Sequence, residues 1–242
     1  MPDILELHAL DKAFGAIKVA DGLSYTLREG EALGVLGPNG AGKTSMFNLI
    51  TGTLRPDGGR ILFAGRDITR QSAADRSRAG IARSFQVPQP FTQMTVFENA
   101  MVAATQAAGL SGRAAEALCL EVLDQTELLA KANRPSGGLT LLDRKRLELT
   151  RALCARPTLL LLDEIAGGLT EGECRALIAT IREIHARGVS IIWIEHVVHA
   201  LLAVVERLVV IDFGRKIAEG APAAVMDSPD VKEIYLGIEA DA

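Results

Sequence analysis

Residues Gly37-Pro38-Asn39-Gly40-Ala41-Gly42-Lys43-Thr44 run in the G-x-x-x-x-G-K-[ST] spacing of a phosphate-binding loop. The chemistry follows from the residue types. Glycines let successive backbone N–H groups turn toward one centre without a Cβ in the way. Lys43 supplies a mobile point charge for the β- and γ-phosphates of a nucleoside triphosphate, and the Thr44 hydroxyl is a ligand for Mg2+. Ser45 completes the candidate set. Such a loop works where it opens a helix, whose N-terminus adds unpaired donors and a positive dipole end. The apolar run at 32–36 before it and the helix-like run at 45–50 after it meet that condition.

A second constellation supplies carboxylates. Leu159-Leu160-Leu161-Leu162-Asp163-Glu164 reads as a buried strand that delivers two acids at its C-terminal edge, where open α/β sheets bind ligands. Asp163 would hold Mg2+ through its water shell, and Glu164 would polarise an attacking water. His196 ends the next apolar run, 191–195, and falls on the same edge, in reach of a γ-phosphate. Gln86, after Ile81-Ala82-Arg83-Ser84-Phe85, is a candidate sensor of the metal or the water. Phe14, beside Gly15, is either a core ring or a platform for a base, a contact of roughly 1–3 kcal/mol by analogy with nucleic-acid bases.

These groups need a scaffold. The runs at 4–10, 23–27, 32–36 and 60–64 read as strands, with turns at Arg28-Glu29-Gly30 and Pro56-Asp57-Gly58-Gly59. From about 96 to 153 the pattern is helical and Ala-rich, with Leu118, Val122 and Leu129 near one face. Strands return at 158–162, 189–194 and 208–211, the last pairing with 216–218 across Asp212-Phe213-Gly214. Thr170 and Glu173 form a capping box for a helix whose stripe is Leu177, Ile181 and Ile184 and which Gly188 ends. Strand–helix–strand of this kind is a parallel βαβ unit. The fold class predicted is α/β, a P-loop NTPase (RecA-like) core with an antiparallel β edge and an inserted α-helical subdomain. Arg144-Lys145-Arg146 and the scattered Arg66, Arg70, Arg76 and Arg78 read as solvated charge. Residues 238–242 read as a frayed acidic tail.

Composition narrows the classes further. With 242 residues and 48% hydrophobic content the chain can bury a full core. A net charge of −4 argues against a bulk nucleic-acid binder, and no nucleic-acid partner is expected. Cys119, Cys154 and Cys174 lack ligand spacing and read as reduced, buried thiols. The first residues show no basic-then-apolar leader pattern, and no run of about 18 apolar residues occurs. Any action at a membrane needs another subunit to hold the chain there.

In order and spacing, 37–44, Gln86, 159–164 and His196 resemble the Walker A, Q-loop, Walker B and switch histidine of the nucleotide-binding subunits of ABC transporters. Phe14 matches that family's adenine-stacking aromatic. Arg83-Ser84-Phe85-Gln86, Met94-Thr95-Val96-Phe97-Glu98-Asn99, Lys145-Arg146-Leu147-Glu148-Leu149 and Ile234-Tyr235-Leu236-Gly237 are similar to the branched-chain amino-acid importer ATPases. The resemblance covers 4–237 as one nucleotide-binding domain, with a catalytic core of 4–88 and 154–237 and a helical subdomain of 89–153. It implies ATP and Mg2+ as cofactors, with Thr44, Gln86 and Asp163 toward the metal. It also implies ATP hydrolysis coupled to import of branched-chain amino acids or a related small polar solute. The implied partners are a second ATPase subunit, identical or related, in head-to-tail apposition, and integral membrane permease subunits. Through these come a solute-binding protein and a peripheral place on the cytoplasmic face of the inner membrane. In the family, the neighbourhood of 87–91 receives a coupling helix from the permease.

The departures from the family pattern are local. Leu139-Thr140-Leu141-Leu142-Asp143 stands where the family has LSGGQ, a segment that covers the nucleotide of the opposite subunit. Thr140 keeps the hydroxyl, while Leu141 and Leu142 replace both glycines. Loss of one phosphate donor there would lower the rate by roughly 10²–10³. Ile165 replaces the usual proline, and Gly167-Gly168-Leu169-Thr170 the usual SALD-type loop. Hydrolysis is expected, since Lys43, Asp163, Glu164 and His196 are intact. Two alternatives stand beside import: a nucleotide-gated subunit with weak hydrolysis, and the ATPase of a lipid exporter.

Overall fold

The computed structural model describes residues 2–239, with side chains described to 234. Of the reading of 238–242 as a frayed tail, residues 240–242 lie outside the described residues. The chain opens with a hairpin, β1 (Asp3–Phe14) and β2 (Ile17–Arg28), followed by β3 (Ala32–Leu36) and α1 (Lys43–Thr51). Then come β4 (Gly58–Phe63), β5 (Arg66–Asp67), α2 (Ala73–Arg78) and β6 (Ile81–Ser84). Three helices follow, α3 (Val96–Gln106), α4 (Gly112–Gln125) and α5 (Leu141–Cys154). The chain closes with β7 (Leu159–Asp163), α6 (Glu171–Ala186), β8 (Ser190–Ile194), α7 (Val198–Leu202), β9 (Arg207–Asp212), β10 (Arg215–Gly220), α8 (Pro222–Asp227) and α9 (Pro229–Glu239).

Two sheets result. The antiparallel one has the order β2-β1-β4-β5, and the larger runs β10-β9-β3-β8-β7-β6. In the larger sheet β9, β3, β8, β7 and β6 are mutually parallel, and β10 adds antiparallel to β9. Every residue of β3, β7 and β8 is buried, as expected of strands covered on both faces. Alternation decides which layer each residue joins. Leu33 and Val35 pack with Met46 and Phe47 of α1 and with the antiparallel sheet, while Leu36, Leu160 and Trp193 pack with α3 to α6. The register sets the site. Val35 and Asp163 both stand opposite Ile194, and Ser84 opposite Leu162, so β3, β6, β7 and β8 end at one edge. The residues that follow these ends are Gly37, Gln86, Glu164 and His196.

Local chemistry explains the helix starts. Thr170 accepts from the Glu173 N–H and Glu173 returns a bond to the Thr170 N–H; Thr95 and Glu98 do the same for α3. Leu177, Ile181 and Ile184 are buried, and Gly188 follows the helix end at φ 90. Three expectations need correction. Lys145 and Arg146 are buried rather than solvated, because α5 lies in the interior between α3, α4 and the sheet edge. Arg76 is also buried, its guanidinium donating to the Leu49 and Ile50 carbonyls that end α1 and to Thr69 O. Leu129 falls beyond α4 in a short 3₁₀ turn and is exposed. The three cysteines are free and buried. Among the described residues, no helix is long and apolar enough to cross a membrane.

Candidate active site

The loop between β3 and α1 is shaped by close backbone approach. A Cβ on Gly42, at φ 101, would lie 2.3 Å from the Val19 carbonyl, and one on Gly37 would lie 2.1 Å from that of Ile211. Only glycine permits either contact. Lys43 opens α1 and folds back, its Nζ donating to Gly37 O at 2.6 Å and Pro38 O at 2.9 Å. Burial pushes its ammonium down, and the carboxylates of Glu164 and Asp163 oppose that. The loop borders a cavity of about 410 Å³ lined by residues 39–45, Gln86, Glu164, Ile17 and Val19. Asn39, Gly40, Ala41, Gly42, Lys43, Thr44 and Ser45 therefore meet Gln86 and Glu164, while Gly37 and Pro38 support Lys43 from behind.

Phe14 is not in that wall. It sits at the tip of the β1–β2 hairpin opposite Ile17, exposed, with the Lys12 ammonium 5.5 Å from its ring centre. Ile17 and Val19 line the cavity instead, which only the long-range pairing of β2 against the loop could reveal.

Asp163 ends β7 and is buried. Its Oδ2 accepts from Arg83 Nη2 at 2.5 Å, whereas Oδ1 is buried with no hydrogen-bond partner. Burial pushes the carboxyl up, and the Arg83 guanidinium opposes it. Arg83 also donates to Asn48 Oδ1 at 2.7 Å, and its guanidinium lies 5.4 Å and 5.1 Å from the ring centres of Phe47 and Phe85. An orphaned carboxylate oxygen and a threonine hydroxyl in the first turn of α1 make a donor set for a hard divalent cation, so Asp163 and Thr44 fit Mg2+.

Glu164 joins two of the other candidates. One carboxylate oxygen lies 2.9 Å from His196 Nε2, and the other accepts from Gln86 Nε2 at 2.5 Å. Its backbone sits at φ 47, a left-handed conformation uncommon outside glycine. Two buried charges near it have no counterpart in the sequence-derived set. Lys145 donates to the Glu164 carbonyl at 3.1 Å, and Glu195 accepts from the Ala166 and His196 N–H groups, both at 2.9 Å. Lys145 looks like surface charge in the sequence. Glu195 carries a signal only in being an acid at the end of an apolar run.

The segment 140–142 stands apart from the cavity of its own chain. Thr140 caps α5 by accepting from the Asp143 N–H at 3.3 Å. Leu141 is 46% exposed, Leu142 is half-buried, and Asp143 pairs with Lys131 at 2.6 Å.

The chain is similar to known proteins along nearly its whole length. The family model described as "ABC transporter" matches residues 20–167, and "Branched-chain amino acid ATP-binding cassette transporter" matches 215–241. The high-affinity branched-chain amino acid transport ATP-binding protein BraF of Pseudomonas aeruginosa is 35% identical, over 97% of this chain and 98% of its own length. The lipopolysaccharide export system ATP-binding protein LptB of Acidithiobacillus ferridurans is 32% identical, over 98% of each chain. A crystal structure of the ADP conformation of an ATP-binding cassette of an ABC transporter is 30% identical with a TM-score of 0.89, covering 98% of this chain and all of the other. By family, by fold and by a nucleotide-binding relative of nearly equal length, this chain belongs to the ATP-binding, ATP-hydrolysing subunits of ABC transporters.

Proposed function

We propose that this ATPase powers import of branched-chain amino acids, or of a related small polar solute, from the cytoplasmic face of the inner membrane. The observation that carries the catalytic reading is the Gln86–Glu164–His196 group bonded together at the mouth of the phosphate loop. In this reading the amides of 39–45 and the Lys43 ammonium bind the β- and γ-phosphates, and Phe14 stacks on the adenine. Glu164 accepts a proton from the attacking water as its oxygen bonds to the γ-phosphorus and the bond to the ADP oxygen breaks. His196 orients that carboxylate and contacts the γ-phosphate, and Gln86 senses the site from the other side. Thr44, Asp163 and Gln86 would hold Mg2+, which when bound neutralises phosphate charge.

The second half of each site is assigned to a partner ATPase subunit, identical or related, through its Thr140, Leu141 and Leu142. Their absence from the lining of the cavity in their own chain supports a contribution in trans. The permease contact is assigned to the exposed Phe85, Val87 and Phe91, of which Phe85 lines a cavity of about 290 Å³ bordered by α2, β6, α3 and α5. Apolar exposure of that kind suits a docked helix. Through the permease the chain would serve a solute-binding protein.

Glu164→Gln in the reconstituted transporter is expected to abolish turnover while nucleotide binding persists; near-normal turnover would refute the role. A second reading, ATP as a clamp with weak hydrolysis, is favoured by the exposed Leu141 where a close glycine approach is usual. A tight nucleotide-bound dimer without steady-state turnover would select it. Copurification with lipid-export permeases in place of amino-acid permeases would select the export alternative suggested by LptB.

A further inference from the structure

We propose that Lys145 and Glu195 are positioning residues of the hydrolysis reaction, two buried side chains of opposite charge that fix the loop carrying Glu164 from two sides. The inference rests on the reading of Glu164 as the base and goes beyond it, since neither residue touches the cavity.

Lys145 is 6% exposed and Glu195 1% exposed. Charged side chains are rarely buried to that degree without a specific partner. Lys145 gives its hydrogen bond to a backbone carbonyl, that of Glu164, at 3.1 Å. The N–H of Glu164 donates to Ile194 O at 2.9 Å, so both main-chain groups of the proposed base are held. That matters because Glu164 is at φ 47, a conformation that persists only where its surroundings enforce it.

Glu195 works from the other side. One oxygen accepts from the Ala166 N–H at 2.9 Å, and the other from the N–H groups of His196 at 2.9 Å and Val197 at 3.4 Å. A single carboxylate thus ties the loop after Glu164 to the segment that bears His196. Burial pushes the Lys145 ammonium down, and the Glu195 carboxylate is the leading charge that opposes it. The two charges are therefore complementary as well as adjacent to the same loop.

Helix α5 supplies the lever. Leu141 and Lys145 are four residues apart and share one helix face. A Cβ on Gly168 would lie 3.3 Å from Leu141 Cδ2, while Lys145 bonds to Glu164 O, so that face borders the 164–168 loop near both of its ends. The start of α5 is the segment assigned to the partner's nucleotide. A shift of α5 on engaging that nucleotide would move the carbonyl of Glu164 in its own chain.

The test uses the reconstituted transporter with Lys145→Met, Lys145→Arg and Glu195→Gln, each checked for a native melting profile. Misplacing a base without removing it lowers the rate by up to about 10²-fold. Lys145→Met is expected to lower kcat by about 10–100-fold with KM for MgATP changed less than about threefold. Lys145→Arg, which keeps a charged donor, is expected to restore most of kcat, and Glu195→Gln to lower kcat by about 10-fold. A purely structural role would move stability and leave no such split or rescue. If Lys145→Met does not fold, Lys145→Gln, whose donor is too short to reach the carbonyl, carries the same expectation. The inference is overturned if folded Lys145→Met or Lys145→Gln keeps kcat within twofold while Glu164→Gln is inactive. If Glu164→Gln itself turns over, the underlying reading fails instead.

Discussion

The Nε2 of His196 lies 2.9 Å from a carboxylate oxygen of Glu164, although the two are 32 positions apart in the chain. The parallel register of β7 and β8 brings them together, with Asp163 opposite Ile194. A group that orients a base acts mainly on the chemical step. His196→Ala is therefore expected to lower kcat by about 10²–10³ while MgATP affinity stays within a few-fold. Single-turnover hydrolysis beside equilibrium nucleotide binding checks this, and unchanged turnover would remove His196 from the mechanism.

The phosphate loop makes two separable demands. Lys43→Ala removes the charge and is expected to weaken MgATP binding by at least about 10²-fold, because charge-assisted contacts to phosphate are among the strong ones. Gly42→Ala keeps the charge but places a methyl 2.3 Å from the Val19 carbonyl, in a conformation at φ 101 that alanine disfavours. It is expected to lower the melting temperature as well as affinity, whereas Lys43→Ala leaves the melting temperature nearly unchanged or raises it. Calorimetric titration and thermal scans of the two variants distinguish the demands.

Arg83 and Asp163 form an ion pair whose side chains are 6% and 3% exposed. Breaking one partner of such a pair leaves an uncompensated charge, at about 3–5 kcal/mol. Arg83→Met is expected to lower the melting temperature by roughly 6–20 °C, at about 2–4 °C per kcal/mol for a chain of this size. A shift under about 3 °C would show that Asp163, once unpaired, sheds its charge by taking up a proton.

The parallel core was legible because strands buried on both faces read as unbroken apolar runs, and 32–36 and 159–162 are such runs. Gly37 to Thr44 are marked by their own spacing, and Asp163, Glu164 and His196 by the apolar runs that they end or follow. The first hairpin extends beyond the runs that mark it in the sequence, 4–10 and 23–27. Ala9 at φ 44 and several register shifts between β1 and β2 break the alternation that marks a strand. Arg76, Lys145 and Arg146 defeated composition altogether. A buried arginine capping a helix end is the same letter as a solvated one, and only tertiary contacts separate them. Arg83 stands in a pattern similar to the family's, yet its bond to Asp163 spans 80 positions. The Ile17 and Val19 wall was invisible for the same reason, being made by a strand that returns over the loop.

Glu31 offers a test of pH dependence away from the site. Burial pushes its carboxyl up, but the paired Arg207 guanidinium, with Nε and Nη2 at 2.7 and 2.9 Å from its two oxygens, brings it below the ordinary value of 4.5. The folded state thus binds this proton less readily than the unfolded chain. The pair contributes stability that is fully present above about pH 4.5 and is lost as pH falls through the lower folded value. Glu31→Gln is expected to lower unfolding free energy by about 1.5–3 kcal/mol at neutral pH, the range for hydrogen bonds to charged groups. The gap between parent and variant must then narrow below about pH 4.5 and approach a constant at lower pH. Urea unfolding at neutral pH and at successive steps below that value measures it. A gap that widens with acid would reverse the sign assigned to Glu31, and one that does not change would show that Arg207 holds the carboxyl no differently from water.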